Sequence, residues 1–183
     1  MASSLEKLER SHDDIEIIWH SYMLRPPGAP PISPEYRAKI LAGRPRMAEI
    51  AERDFGVEMN FGTFSGTSMA ALVGGKYAEA HGKGEAYHKQ IMTAYWVETK
   101  SIHDLEVLGD IAADIGLDRQ PFLDALDAEP WTGQVTADVD RAFQYGIQGV
   151  PGMIFNDKYY ISGAQTHEVL EDIVKQVREK EQT

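Results

Sequence analysis

The apolar and polar positions of this chain follow different periods along its length. Leu5 and Leu8, set among Glu6, Lys7, Glu9 and Arg10, give a short helical pattern with Ser3 or Ser4 as its cap. Ile15, Ile17, Ile18, Trp19, Tyr22 and Met23 form a β-branched and aromatic run, which predicts a strand from Ile15 to Leu24. Arg25 to Pro34 then holds five of the nine prolines: Pro26, Pro27, Pro30, Pro31 and Pro34. Proline lacks the N–H that helices and central strands need, so this stretch is a loop. A PxxP ligand for an SH3-like module is the less economical reading, because such loops between elements are common.

From Pro34 to Gly146 the period is helical. The expected helices are Pro34–Phe55, Thr67–His81, Glu85–Glu98, Asp104–Ile115, Arg119–Leu126 and Thr132–Tyr145. Gly56, Gly82, Gly84, Gly116 and Gly146 punctuate them, as glycine does at helix ends. After Gly146 the pattern shortens. Met153–Phe155 and Tyr159–Ile161 flank Asn156-Asp157, which predicts a β-hairpin. Val169, Leu170, Ile173, Val174 and Val177 share one face of a closing helix. The order predicts an α/β unit built from 1–33 and 147–183, with a helical domain inserted over 34–146.

Composition narrows the chemistry. The 183 residues include no cysteine, so a disulfide scaffold, a thiolate metal site and thiol chemistry within this sequence are excluded. The formal net charge of −11 argues against a nucleic-acid surface. No apolar run approaches the ~18 residues of a membrane span. The first ten residues have no apolar signal-like core, so the expected compartment is the cytoplasm. The length suffices to bury roughly 70% of the unfolded surface without staples.

Several motifs bear on chemistry. Gly66-Thr67-Ser68-Met69-Ala70-Ala71 is similar to the nucleophile motif of subtilisin-like proteases. The upstream histidines, His12 and His20, lack that family's context, and Leu72 replaces its proline, so Ser68 is expected to be a helix N-cap. Gly74-Gly75-Lys76 and Gly82-Lys83-Gly84 lack the remaining residues of phosphate- and dinucleotide-binding loops and predict helix packing and turns. The six histidines are scattered without ligand spacing, so neither a metal nor a cofactor is expected. Gly149-Val150-Pro151 directly precedes a strand. A proline there belongs at a strand start, and its X-Pro bond is a candidate cis peptide.

Gly149-Val150-Pro151, the hairpin, Ser162-Gly163-Ala164-Gln165 and the closing helix together resemble the DsbA-like thioredoxin-fold oxidoreductases, in particular their FrnE-like cytoplasmic branch. Tyr22-Met23-Leu24-Arg25-Pro26, Gly75–Ala80, Ala86-Tyr87-His88 and Ala94-Tyr95-Trp96 carry the resemblance through the rest of the chain. It implies an α/β thioredoxin-like fold of DsbA type with a large helical insertion. It implies dithiol–disulfide exchange on protein or peptide thiols by a Cys-x-x-Cys pair. Gly149, Val150 and Pro151 would be the substrate-binding residues, with Val150 offering its backbone to an extended substrate.

The resemblance also places a first strand and the Cys-x-x-Cys just upstream of Met1. The expectation is therefore an N-terminally truncated chain with no catalytic residue of its own. In that fold the first strand lies between Ile15–Leu24 and the hairpin. Its absence would leave unpaired edges through which a homodimer is possible. Glutathione-dependent isomerases and kappa-type transferases resemble the same architecture. They carry an Asp-Arg pair where this chain has Gln165-Thr166. A peptide-binding module without redox chemistry is the other alternative.

Overall fold

The structure, a computed structural model, describes residues 2–26, 28–62 and 66–182. Pro27, Met1 and the side chain of Ser3 lie outside the described residues. The chain forms α1 (Ala2–Ser11), α2 (Pro34–Phe55), α3 (Met69–Ala80), α4 (Gly84–Trp96), α5 (Leu105–Asp114), α6 (Arg119–Ala125), α7 (Glu129–Gln144), β1 (Gly152–Phe155), β2 (Tyr159–Ser162) and α8 (His167–Glu181).

The helices start and stop where local chemistry directs. The Ser33 hydroxyl accepts the Tyr36 N–H at the start of α2. Gly56 ends that helix in the left-handed conformation, φ 62°, with the N–H groups of Gly56 and Val57 turned back to the carbonyls of Glu52 and Ala51. The Asp104 carboxylate accepts the Glu106 N–H at the start of α5. Two expected caps are corrected. Helix α1 already starts at Ala2, so Ser4 lies within it, buried. Ser68 stands at the N-cap of α3, but its hydroxyl makes no cap bond. The neighbouring Thr67 hydroxyl accepts the Met69 N–H instead. Helix α7 begins three residues before Thr132, because Pro130 is tolerated in a first turn.

Two buried clusters result. The larger joins α3 to α7 through Ala71, Val73, Tyr87, Ile91, Leu108, Ile111, Phe122, Leu126 and Val135. Helices α3 and α4 approach closely because position 74 is glycine. A Cβ there would run into the Tyr87 hydroxyl of α4 and come within 2.7 Å of Phe122 Cζ of α6. The smaller cluster joins Leu5 and Leu8 of α1 to Leu170 and Val174 of α8. Ile15, Ile17, Met153 and Phe155 pack against it.

The sheet is two-stranded. β1 and β2 pair antiparallel, with Met153 opposite Ile161 and Phe155 opposite Tyr159. Asn156 and Asp157 both take positive φ, and the Lys158 N–H closes the turn on the Phe155 carbonyl at 3.0 Å.

The strand expected over Ile15–Leu24 does not form. Apart from the exposed Trp19, the segment keeps the alternation of an extended chain, with Ile15, Ile17, Ser21 and Met23 inward and Glu16 and Ile18 outward. A strand also needs a ladder, and no described residue supplies a partner backbone. The residues that would flank a central strand, 15–23 and β1, share no backbone hydrogen bond.

Candidate functional site

The three residues expected to meet a substrate form one loop between α7 and β1. The Val150–Pro151 bond is cis. The Pro151 carbonyl accepts the Gly163 N–H at 2.9 Å, which ties the loop to the end of β2. Upstream, the Tyr22 hydroxyl donates to the Ile147 carbonyl at 3.3 Å, linking the loop to the 15–24 segment. Val150 is 53% exposed. Among the described residues its N–H and carbonyl have no backbone partner. Pro151 and Gly152 are half-buried behind it, so the loop presents Val150 outward on an anchored base. An exposed residue with free backbone donor and acceptor next to a strand is suited to accept an extended chain.

Sequence reasoning missed a polar latch on the 15–24 segment. The Asp138 carboxylate on α7 accepts from the Lys76 ammonium of α3 at 2.8 Å and from the Ser21 N–H at 2.8 Å. His20 Nδ1 lies 2.7 Å from its other oxygen. The Lys76 and Asp138 side chains are 10% and 12% exposed. One residue back, Trp19 stacks on His88 of α4, ring centroids 4.7 Å apart. The unpaired segment is therefore held by side chains of the helical block.

The electrostatics follow. Burial works to raise the Asp138 carboxyl, and the bonds from Lys76, Ser21 and His20 outweigh it, so the group lies below its ordinary value. Burial works to lower Lys76, and Asp138 and Glu79 outweigh it, so the ammonium is held above its ordinary value. Burial lowers His88, against weak opposition from Glu79 and Glu6. One sequence signal was available for the latch. Lys76 and Glu79 are the charged residues of an otherwise apolar α3, and a lysine buried on a helix requires an anionic partner.

A second hollow lies between α1, the end of α2 and the start of α8. It is lined by Ser4, Lys7, Asp54–Gly56 and Thr166–Glu168. The Glu168 carboxyl is held low by its own backbone N–H and by the Thr166 hydroxyl, so a carboxylate of this chain already serves the α8 N-terminus. An anionic ligand there would face Glu168 and Asp54. No cluster of metal-ligating side chains occurs among the described residues.

A family described as the DSBA-like thioredoxin domain matches residues 1–175. The chain belongs to that family. The uncharacterized protein YwbO of Bacillus subtilis (strain 168) is 28% identical over 171 residues, 91% of this chain and 84% of that protein. The crystal structure of the probable DsbA oxidoreductase SCO1869 from Streptomyces coelicolor matches with a TM-score of 0.79 and 24% identity, over 96% of this chain and 82% of that one. The cytosolic disulfide reductase DsbM of Pseudomonas aeruginosa, solved with GSH, matches with a TM-score of 0.69 and 19% identity, over 97% and 92%. The fold is therefore DsbA-like, mostly helical, with its sheet reduced to two strands. Those two solved proteins are described as an oxidoreductase and a disulfide reductase, whereas this sequence holds no cysteine. Among the described residues no helix is long and apolar enough to cross a membrane.

Proposed function

We propose that this chain is the substrate-presenting part of a cytoplasmic DsbA-like dithiol–disulfide oxidoreductase whose redox cysteines lie outside these 183 residues. The exposed Val150, whose backbone groups have no backbone partner among the described residues, carries the reading. Residues 1–33 and 147–183 form the thioredoxin-like half in this account, and 34–146 the inserted helical domain. The first strand of the fold enters between residues 15–23 and β1. Its backbone supplies the ladder the 15–24 segment lacks. The Cys-x-x-Cys arrives with that strand. In exchange, a substrate thiolate attacks one sulfur of the oxidised Cys-x-x-Cys, a mixed disulfide forms and the other cysteine leaves as thiolate. A second substrate thiolate then attacks the mixed disulfide, giving the substrate disulfide and the reduced pair. Protein thiols are the substrates.

Intact mass and thiol titration of the protein isolated from its own organism test this. A mass above 20.4 kDa with two titratable thiols is the expected result. A mass equal to this chain's with no thiol would sink the redox reading.

The absence of cysteine favours a second reading for the chain alone: it binds extended peptide without chemistry. A labelled, cysteine-free apolar peptide should bind, and Val150→Asp should weaken it about tenfold while changing stability by less than about 0.5 kcal/mol. Equal binding by the variant would remove Val150 from the contact.

A further inference from the structure

Helix α2 is the least covered element of the molecule. Of its 22 residues Ala51 is the buried one, and Pro45 interrupts its hydrogen-bond ladder. A helix with so little tertiary burial lacks the packing that normally stabilises helices in proteins. Tyr36, Lys39, Gly43, Arg46 and Met47 recur at i, i+3, i+7, i+10 and i+11, so they line one side of α2. Tyr36 is 57% and Met47 50% exposed, and a Cβ at Gly43 would meet nothing within 4 Å. This face is apolar, flat at its centre and basic. The half-helix from Pro34 to Met47 carries four basic residues against Glu35, in a protein of net charge −11.

The opposite charge is concentrated elsewhere on the same molecule. Residues 104–140 hold ten acidic residues against a single basic one, Arg119. Glu106, Asp110 and Asp114 follow one another at i+4 along the exposed side of α5, and Arg119 pairs with the first two. Asp118 and Asp127 extend the negative surface beyond them.

We propose that the Tyr36–Met47 face of α2 docks on the acidic α5 side of a second copy of this chain. Complementary charge is the reason for choosing a second copy. The partner surface is present at the same concentration as the helix it fits, whereas a nucleic acid would be repelled by the rest of the molecule. Tyr36 and Met47 supply apolar contacts at the two ends of the stripe, and Lys39 and Arg46 between them face Asp110 and Asp114. This contact is independent of strand completion between residues 15–23 and β1. Backbone pairing there would respond to neither salt nor side-chain charge.

Sedimentation velocity on the full chain at about 50 mM and about 500 mM salt is the test. Self-association is expected at low salt and should weaken about tenfold or more at high salt. The double variant Lys39→Glu/Arg46→Glu should be monomeric, and so should Asp110→Lys/Asp114→Lys. An equimolar mixture of the two should associate again, because each then offers what the other lacks. Circular dichroism and thermal melting should match the parent chain for both variants. A monomer at low salt, association indifferent to salt, or a mixture that stays monomeric would overturn the proposal. Association lost on placing a proline at Ile17 but kept in the charge variants would assign it to the strand edge instead.

Discussion

The helical block and the α1/α8 unit solve the same problem with different success. The block from α3 to α7 closes around Val73, Leu108, Phe122 and Val135, each fully buried. Every helix there satisfies its own backbone, so only side chains must find partners. The unit of α1, α8, the hairpin and residues 15–24 buries Leu5, Leu8, Leu170 and Val174. Its extended segment has no ladder, and side chains from the block hold it in place. Helical order is local, whereas sheet order needs a second chain segment at the right distance.

The strongest way to break the comparison is to cut the block's core. Phe122→Ala removes the largest fully buried side chain and should cost about 4 kcal/mol in chemical denaturation. The unit that depends on the block should unfold in the same transition. A separate, unshifted transition for the α1/α8 unit would show that the latch does not couple them.

The next largest effect is expected at the latch. Asp138→Asn keeps the shape and leaves Lys76 with the more exposed Glu79 carboxylate at 3.3 Å in place of the buried one, at a cost of about 3 kcal/mol. Amide exchange should accelerate at Ser21 and its neighbours before it does in α3 or α7. The Asp138 contribution is present above its unfolded value of 3.8 and is lost as pH falls through the lower folded value. The Lys76 contribution is present below 10.5 and is lost as pH rises through the higher folded value. The melting temperature of the parent should fall more steeply in acid than that of Asp138→Asn.

The smallest effect sharpens the picture of the block. The Tyr87 hydroxyl is buried against Gly74 with no hydrogen-bond partner among the described residues, and burial pushes its pKa far up. Tyr87→Phe should be neutral or stabilising by about 1 kcal/mol, since it removes an unsatisfied polar group and leaves the packing intact. A loss of stability in thermal melts would mean that the hydroxyl has a partner in solution, such as an ordered water.

Much of this was legible in the residues themselves. Eight helices and one hairpin follow from periodicity and punctuation: the prolines before α2, the glycines at helix ends, and Asn156-Asp157 between two apolar runs. The order of these elements with Gly149-Val150-Pro151 pointed to the DsbA-like family, which matches residues 1–175. The zero cysteine count set the limit on chemistry before any fold was known.

Ile15–Leu24 has the composition of a strand, but composition does not state whether a partner lies alongside. Only the assembled molecule leaves it unpaired and alternating. The latch is equally a product of assembly: Lys76, Asp138 and Ser21 are far apart along the chain, and their charges acquire meaning when α3, α7 and the segment converge. Short-range propensity, turn chemistry and composition are properties of neighbouring residues, so the sequence by itself determined the helices, the hairpin and the absence of thiol chemistry. Ladder formation, burial of charge and exposure of Val150 depend on distances between remote segments, so the tertiary structure alone decided them.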